Sequence, residues 1–299
     1  MPSSRARGAL LALGAMAITG SAVTVSEQLT DYPLYSAQAV RYGVAALLLV
    51  AGARLAHRVV PWPTVRETGR LFLLAAMGLS LFNVAVVRAV GHAEPAVVGV
   101  IVAGVPVLLA LGSPLVERRR PPLGVVAAAG IVVVGAILVE GGGRSDGVGI
   151  AWAVVAMISE AAFTLLALPV LPRLGPLGVS VHTCWLAALQ LGVLAVVIDG
   201  SANLTMPDGG VVFAVLYLAV VLTAVAFLWW FEAVRLLGGE VAGLYAGVVP
   251  IAAAASGLLN GTTTVEVQVL GGTVLAAAGI VAGMRAARGT PAVGTLDRP

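Results

Sequence analysis

Apolar runs of about twenty residues follow one another along almost the whole chain, and no other feature restricts its fold so tightly. They cover about residues 8–26, 34–53, 70–91, 95–116, 122–140, 147–168, 177–198, 210–231, 239–259 and 265–285. A helix rising 1.5 Å per residue needs about twenty such residues to cross roughly 30 Å of hydrocarbon. Ten runs of that length predict an all-α integral membrane protein with ten transmembrane helices. Of the 299 residues 60% are hydrophobic and 10% charged, whereas a soluble domain carries roughly 25% charged residues. Mean hydropathy is +1.03. Turn chemistry punctuates the runs at Asp31-Tyr32-Pro33, Pro61-Trp62-Pro63, Gly141-Gly142-Gly143 and Pro207-Asp208-Gly209.

A second regularity divides the runs into two sets. The stretch 97–110, VVGVIVAGVPVLLA, returns as 241–254, VAGLYAGVVPIAAA, without a gap. Val97, Gly99, Val105, Pro106 and Ala110 meet Val241, Gly243, Val249, Pro250 and Ala254. The same offset pairs Ala89-Val90 with Ala233-Val234 and Gly135 with Gly279. Small apolar residues match easily by chance. A shared proline inside an apolar helix carries more weight, because it removes a backbone donor at a cost of about 3 kcal/mol. The chain therefore reads as a duplicated half: residues 8–140 and 147–286, each with five helices, followed by a disordered tail over 287–299. Arg5 and Arg7 before the first run also fit a secretory signal with Gly20-Ser21-Ala22 as its cleavage region. A retained first span is the expectation, since each half needs a matching helix.

Charge orients the runs. All seventeen basic residues are arginine. With the amino terminus in the cytoplasm, fourteen of them fall on the inner side, Arg144 falls outside, and Arg41 and Arg88 lie within spans. That is a strong positive-inside pattern, and moving the count by one helix destroys it. The sequence thus predicts a multi-pass protein of the cytoplasmic membrane with both termini cytoplasmic. Five spans per half is an odd number, so the second half enters the bilayer inverted. Inverted repeats are an architecture of secondary transporters, whose halves rock about a site near the midplane.

With these residues laid out, the chain resembles the ten-helix drug/metabolite transporter superfamily, with two EamA-like halves over about residues 8–286. The points of resemblance are Arg41-Tyr42 early in the second span and the Ala89 and Ala233 segments leading into Pro106 and Pro250. Glu117 at the close of the fourth span and the Gly-rich helices around Gly130–Gly135 and Gly272–Gly279 complete them. Two departures stand out: Asn260-Gly261 where the family often has an acid matching Glu117, and Thr19-Gly20 where a Trp-Gly pair is common. The resemblance implies a carrier, proton-coupled, gradient-driven or facilitative, and often an exporter of small metabolites.

Ionisable groups within spans are costly, so each asks for a reason. Glu160, near the middle of the sixth span, reads either as a cavity group for a cation or proton, or as a structural carboxyl. Arg41 reads as a contact for an anionic group, a partner of Glu160, Glu27 or Asp31, or a side chain snorkelling to the interface. Asn83, Gln190 and Tyr245 are further binding candidates, with interhelical hydrogen bonding the alternative for Gln190 and core packing for Tyr245. Arg88 and Glu232 occupy equivalent positions with opposite charge and are gate candidates, or ordinary interfacial charges. Pro106 and Pro250 are candidates for bending the fourth and ninth helices. Trp185, Trp229 and Trp230 suit interface anchors.

Other chemistries lack their signatures. The single cysteine, Cys184, excludes an internal disulfide, and His57, His92 and His182 show no metal-site spacing. No phosphate-cradling GxxxxGK[ST] motif is present. The sequence therefore predicts no cofactor, no metal, no nucleic-acid partner and no enzymatic activity. Its expected partners are a small-molecule substrate and the lipid bilayer, with homodimerisation left open. A small-metabolite exporter working by alternating access is the leading function; a non-transporting receptor or scaffold and a lipid-modifying membrane enzyme are the alternatives.

Overall fold

The computed structural model describes residues 4–29, 32–141, 143–200, 207–259 and 267–288. These residues form ten helical spans: α1 (Ser4–Ser26), α2 (Leu34–Leu55), α3 (Val65–Val90), α4 (Pro95–Val116) and α5 (Leu123–Glu140), then α6 (Gly147–Leu165), α7 (Leu171–Asp199) and α8 (Gly209–Leu237). The ninth span, α9, joins Gly239–Gly243, a 3-10 turn at Leu244–Gly247, and Val248–Leu259; α10 runs over Val267–Arg288. Among the described residues, eight helices are long and apolar enough to cross a membrane, and Leu123–Val139 is a shorter apolar helix. Helices suit this setting because their backbone donors and acceptors are satisfied within one segment.

Helix starts follow their caps rather than their hydropathy. The third span begins five residues before the expected 70, because Thr64 and Glu67 form a capping box. Glu67 Oε2 accepts from the Thr64 backbone N–H at 2.7 Å, and Thr64 Oγ1 accepts from the Glu67 N–H. Hydropathy does not register this polar first turn. Asp146 and Asp208 cap α6 and α8 by accepting from the Gly149 and Val211 N–H groups, each at 2.8 Å. Before its expected start, α7 carries one extra turn, set off by Gly175 at φ 65° ahead of Pro176. A side chain would strain that backbone conformation. At the carboxyl end α10 continues through Arg288. Most of the expected disordered tail, and the Asn260-Gly261 pair, lie outside the described residues.

The duplication is visible in the backbone. A π-helical segment interrupts α3 at Ala75–Leu81 and α8 at Leu218–Val225. Adding the repeat offset to Ala75 and Leu81 gives Ala219 and Val225, so the two wider turns share one register. Both α4 and α9 also break just before their shared proline: α4 at Ala103-Gly104, α9 through the 3-10 turn that ends at Gly247. Contacts between the halves are reciprocated. Helix α1 packs on α8 and α9, while α6 packs on α3 and α4; α2 packs on α7, and α5 on α10. The architecture is two inverted five-helix repeats about a pseudo-twofold axis.

The closest pairing, α5 with α10, depends on glycine. A methyl group on Gly135 would stand 2.5 Å from the Ala276 backbone nitrogen, and one on Gly272 would stand 2.5 Å from the Gly135 carbonyl oxygen. Gly279 faces the Val132 backbone nitrogen in the same way, at 2.9 Å. Small residues let helix backbones meet where lipid supplies no hydrophobic drive to bring them together. Gly130, on the same helix, has open space around it. Gly135→Ala should destabilise the purified protein by about 1–3 kcal/mol, the usual range for overpacking, whereas Gly130→Ala should leave its melting temperature unchanged or raised. Equal effects in a thermal unfolding assay would remove the α5–α10 contact from its proposed role.

Candidate functional site

The side chains that matter sit where the backbone is irregular. In the π segment of α8, Thr223 donates its hydroxyl hydrogen to the Leu218 carbonyl, five residues back, at 2.8 Å. The remaining lone pairs of Oγ1 point inward, and Arg41 Nε donates to them at 2.9 Å. Arg41 Nη1 donates to Gln38 Oε1 at 3.0 Å, and its guanidinium carbon lies 4.8 Å from the centre of the Tyr42 ring. Tyr42 is held in turn by Asn83 of α3, whose Nδ2 donates to the Tyr42 hydroxyl at 3.2 Å and to the Leu79 carbonyl at 2.7 Å. Arg41, Tyr42 and Thr223 are buried. The guanidinium is thus turned into the protein rather than out to the interface.

Glu160 is half-buried on α6. Met157 and Thr164, three residues before and four after, share its helical stripe. Met157 Sδ lies where a Cβ on Gly104, at the α4 break, would come within 2.7 Å. Thr164 Oγ1 accepts from Trp230 Nε1 of α8 at 2.9 Å. Phe163 seats its backbone against Gly78 in the π segment of α3, and its ring meets Phe227 and Phe231 at 4.8 and 5.0 Å. Glu160 therefore faces the region bounded by α3, the broken α4 and α8. It has no hydrogen bond or ion pair with any described residue.

The other candidates are placed as follows. Gln190 ties α7 to α3: it accepts from Ser80 Oγ at 2.9 Å and donates to the Phe72 carbonyl at 3.1 Å. Tyr245 is buried in the 3-10 turn of α9, with its hydroxyl on Met284 Sδ of α10 at 2.8 Å. Glu232 lies at the arginine-rich end, paired with Arg235 at 2.7 Å and Arg7 at 3.3 Å. Arg88 is exposed near the opposite end and holds no ion pair with a described residue. Pro106 and Pro250 follow the two helix breaks. Trp230, expected at the interface, is buried and hydrogen-bonded inside the bundle, while Trp229 is partly exposed against Gly14 of α1.

Both ends are tied across the repeats. At the arginine-rich end Arg119 bridges Glu117 at 2.6 Å and Glu240, the buried second residue of α9, at 2.5 Å. Arg173 of α7 pairs with Glu67 of α3 and donates to the Trp62 carbonyl at 3.0 Å. At the other end, His92 meets Asp146 and Arg144 meets Glu94, both at 3.0 Å, beside a short bridge between Ala93 and Ser145. The Gly149 amide, and His92 beside it, hold the exposed Asp146 carboxyl below the usual aspartate range. This contact contributes above the unfolded value and is lost as pH falls through the lower folded value.

An inverted pair of five-helix halves, each with a helix broken before a shared proline and with buried polar groups between them, agrees with the comparisons to known proteins. The EamA-like transporter family matches this chain twice, over residues 6–141 and 147–283. The chain belongs to that family. It is similar to the Bacillus subtilis (strain 168) protein named "Uncharacterized transporter YetK", at 26% identity over 257 residues, covering 82% of this chain and 77% of that one. A solved crystal structure superposes with a TM-score of 0.81 at 17% identity, covering 94% of this chain and 97% of the other; this supports the fold alone. The EamA-type chain is thus a multi-pass membrane transporter.

Sequence reasoning passed over Thr223, Gln38 and the Arg119–Glu240 pair. Thr223 had one available signal: with Tyr217 it carries one of two hydroxyls in the run 210–231. Thr223→Val keeps the shape but leaves the Arg41 Nε–H without an acceptor. It should lower stability by about 1–3 kcal/mol, the cost of an unsatisfied buried donor. Thermal unfolding in detergent checks this, and an unchanged midpoint would mean that another group accepts from Arg41.

Proposed function

We propose that this EamA-type chain is a secondary transporter that exports a small organic metabolite or drug across the cytoplasmic membrane by alternating access. One observation carries the reading: Glu160, a half-buried carboxyl within a membrane span, has no protein partner among the described residues and faces the broken fourth helix. An unpaired ionisable group at that depth is costly and marks a pathway more readily than a scaffold. On this reading Glu160 and Arg41 contact substrate or proton, with Asn83 shaping the same layer. Tyr245 and Gln190 act from the surrounding helices, through α10 and α3 respectively.

Alternating access needs two closures that open in turn. Pairs that join the two repeats at the arginine-rich end, Arg7–Glu232, Arg119–Glu240 and Arg173–Glu67, are suited to be the inner closure. Glu232 is our inner gate residue. Arg88, which occupies the repeat-equivalent position and makes no ion pair with a described residue, is our outer one. The breaks before Pro106 and Pro250 leave fewer backbone hydrogen bonds to resist bending.

Small molecules in the medium should be compared for cells producing wild type, Glu160→Gln or an empty vector. Compounds should accumulate with wild type and fall to vector level with Glu160→Gln. Equal export by both proteins would remove Glu160 from the pathway; no difference from the vector, with the protein confirmed in the membrane, would sink the export reading. Orientation has a separate check, resting on the arginine bias. With Cys184 buried, a cysteine at Asp208 should react with an impermeant maleimide on intact cells, and one at the exposed Arg120 only after permeabilisation. The reverse pattern would invert the topology and exchange the gates.

A further inference from the structure

The connection between α2 and α3 is built rather than slack. Helix α2 closes with His57 in the left-handed region at φ 49°, which lets the Arg58 N–H reach back to the Ala53 carbonyl at 2.8 Å. Beyond it the chain runs beside the first half of α7. There His182 Nδ1 accepts from Trp185 Nε1 at 3.2 Å, so Nε2 carries the hydrogen and donates to the Pro61 carbonyl at 2.9 Å. The Trp62 ring leans on His182, with centroids 5.8 Å apart, and the Trp62 carbonyl accepts from Arg173 Nη2 at 3.0 Å. Arg173 also holds Glu67, whose carboxylate closes the capping box with Thr64. The backbone of the connection is therefore fixed against the second repeat.

This fixed backbone presents a mixture of apolar and basic groups outward. Trp62 is 82% exposed, and Val59 and Val65 on either side of it are exposed too. Beside them stand Arg58, Arg66 and Arg70, the first two exposed and the third half-buried. None of the three has an ion pair with a described residue. Glu67 is the one acid between Asp31 and Glu94, and Arg173 has taken it. Arg66 and Arg70 share a helix face at i, i+4 spacing, where like charges repel. In water this surface is poor on both counts, with an indole and two valines uncovered and arginines lacking counter-charge. It lies, however, at the arginine-rich end of the bundle, where the apolar run of α3 begins just past Arg70. At the rim of the hydrocarbon the same mixture is matched: indole rings settle at the headgroup level, and guanidinium forks suit phosphate oxygens. The exposed Trp185, one turn along α7 from His182, marks the same rim.

We propose that the α2–α3 connection is a docking site for anionic phospholipid in the leaflet at the arginine-rich end. Trp62, with Val59 and Val65, lies at the boundary of headgroups and acyl chains, and Arg58, Arg66 and Arg70 bind the lipid phosphate. A zwitterionic headgroup brings its own ammonium, which opposes the unpaired guanidiniums; a net anionic one brings the missing counter-charge. The exposed indole asks for an apolar layer as well as an anion, and this selects lipid over a soluble acidic partner. The inference stands apart from the transporter reading. It has a consequence for the bundle: the connection belongs to the first repeat and is fixed to α7 of the second, so lipid that binds the fixed form stabilises that contact.

The test is native mass spectrometry of the full-length protein with equimolar phosphatidylglycerol and phosphatidylcholine. Wild type should bind the anionic lipid about tenfold tighter. Arg58→Gln, Arg66→Gln and Arg70→Gln combined should bring the two lipids level. Arg118→Gln with Arg120→Gln, at exposed arginines of the same end outside the connection, should keep the preference. Trp62→Ala should weaken binding of both lipids alike, and inorganic phosphate at the lipid concentration should displace neither. Equal binding of the two lipids by wild type, a preference that survives the triple substitution, or one that the Arg118 and Arg120 pair removes equally would each overturn the proposal. So would unchanged binding by Trp62→Ala, or displacement by phosphate, which would make this a site for a free anion. If the combined variant does not fold, Arg58→Gln and Arg66→Gln taken singly should each lower the preference, and no change in either would be equally fatal.

Discussion

A polar group surrounded by hydrocarbon must find its partner inside the protein, and the rest of this structure depends on how that demand is met. Straight helices meet it without help. The places where helices are not straight carry an obligation, and at the π segments of α8 and α3 nearby groups discharge it. The π segment of α8 turns its irregular geometry into a fixed acceptor, because Thr223 bonds back to Leu218 and so presents its free lone pairs to Arg41. Next to the π segment of α3, the Phe72 carbonyl receives Gln190, and within it Ser80 donates to the same amide. Wider turns therefore do two things: they bring a neighbouring helix close, as Gly78 does with Phe163, and they aim polar atoms across the bundle.

Rigidity and freedom are distributed unevenly. Helices α5 and α10 meet backbone to backbone through Gly135, Gly272 and Gly279, a contact with little room to slide. Helices α4 and α9 are each interrupted once, and α9 is pinned at its start by Arg119 on Glu240. One oxygen of that glutamate, Oε2, is buried without a hydrogen-bond partner, and so is Ser113 Oγ. Ser113 lies against Gly239, the neighbour of Glu240. A contact that leaves acceptors and hydroxyls unsatisfied is weaker than one that satisfies them all. The arginine-rich end is thus clasped by ion pairs whose desolvation offsets much of their attraction, which on the alternating-access proposal suits a closure.

Length and hydropathy made the ten spans legible, and one repeated proline made the duplication legible, because both signals survive in composition and order. The start of α3 was misread since a capping box is polar and lies outside a hydropathy window. Trp230 was misread for a related reason: position in a span says how deep a residue is, not which way it faces, and its neighbour Trp229 is the more exposed of the two. Glu160, Arg41 and Asn83 could be picked out because a charge or amide in an apolar run is conspicuous. Thr223 and Gln38 could not, because a hydroxyl in mid-span or an amide near a span end is ordinary until a guanidinium is found on it. The pairing of Arg119 with Glu240 joins residues 121 apart, and nothing local in the sequence announces it.

The two halves share a backbone but not a chemistry, and the contrast is sharpest in α3 and α8. Their π segments coincide under the repeat offset, yet Asn83 corresponds to Phe227, Thr223 to Leu79, and Arg88 to Glu232. At the first two of these positions one copy is polar and the other apolar, and at the third the charge is reversed. Duplication of the backbone supplies two equivalent ways for the bundle to bend, which is what a symmetric exchange between two closures requires. Divergence of the side chains gives the middle a direction: a guanidinium held by Thr223, Gln38 and Tyr42 on one flank, and on the other the Glu160 carboxyl, without a partner among the described residues. On the alternating-access proposal, a symmetric frame around an asymmetric centre lets the halves exchange roles mechanically while the middle keeps one polarity.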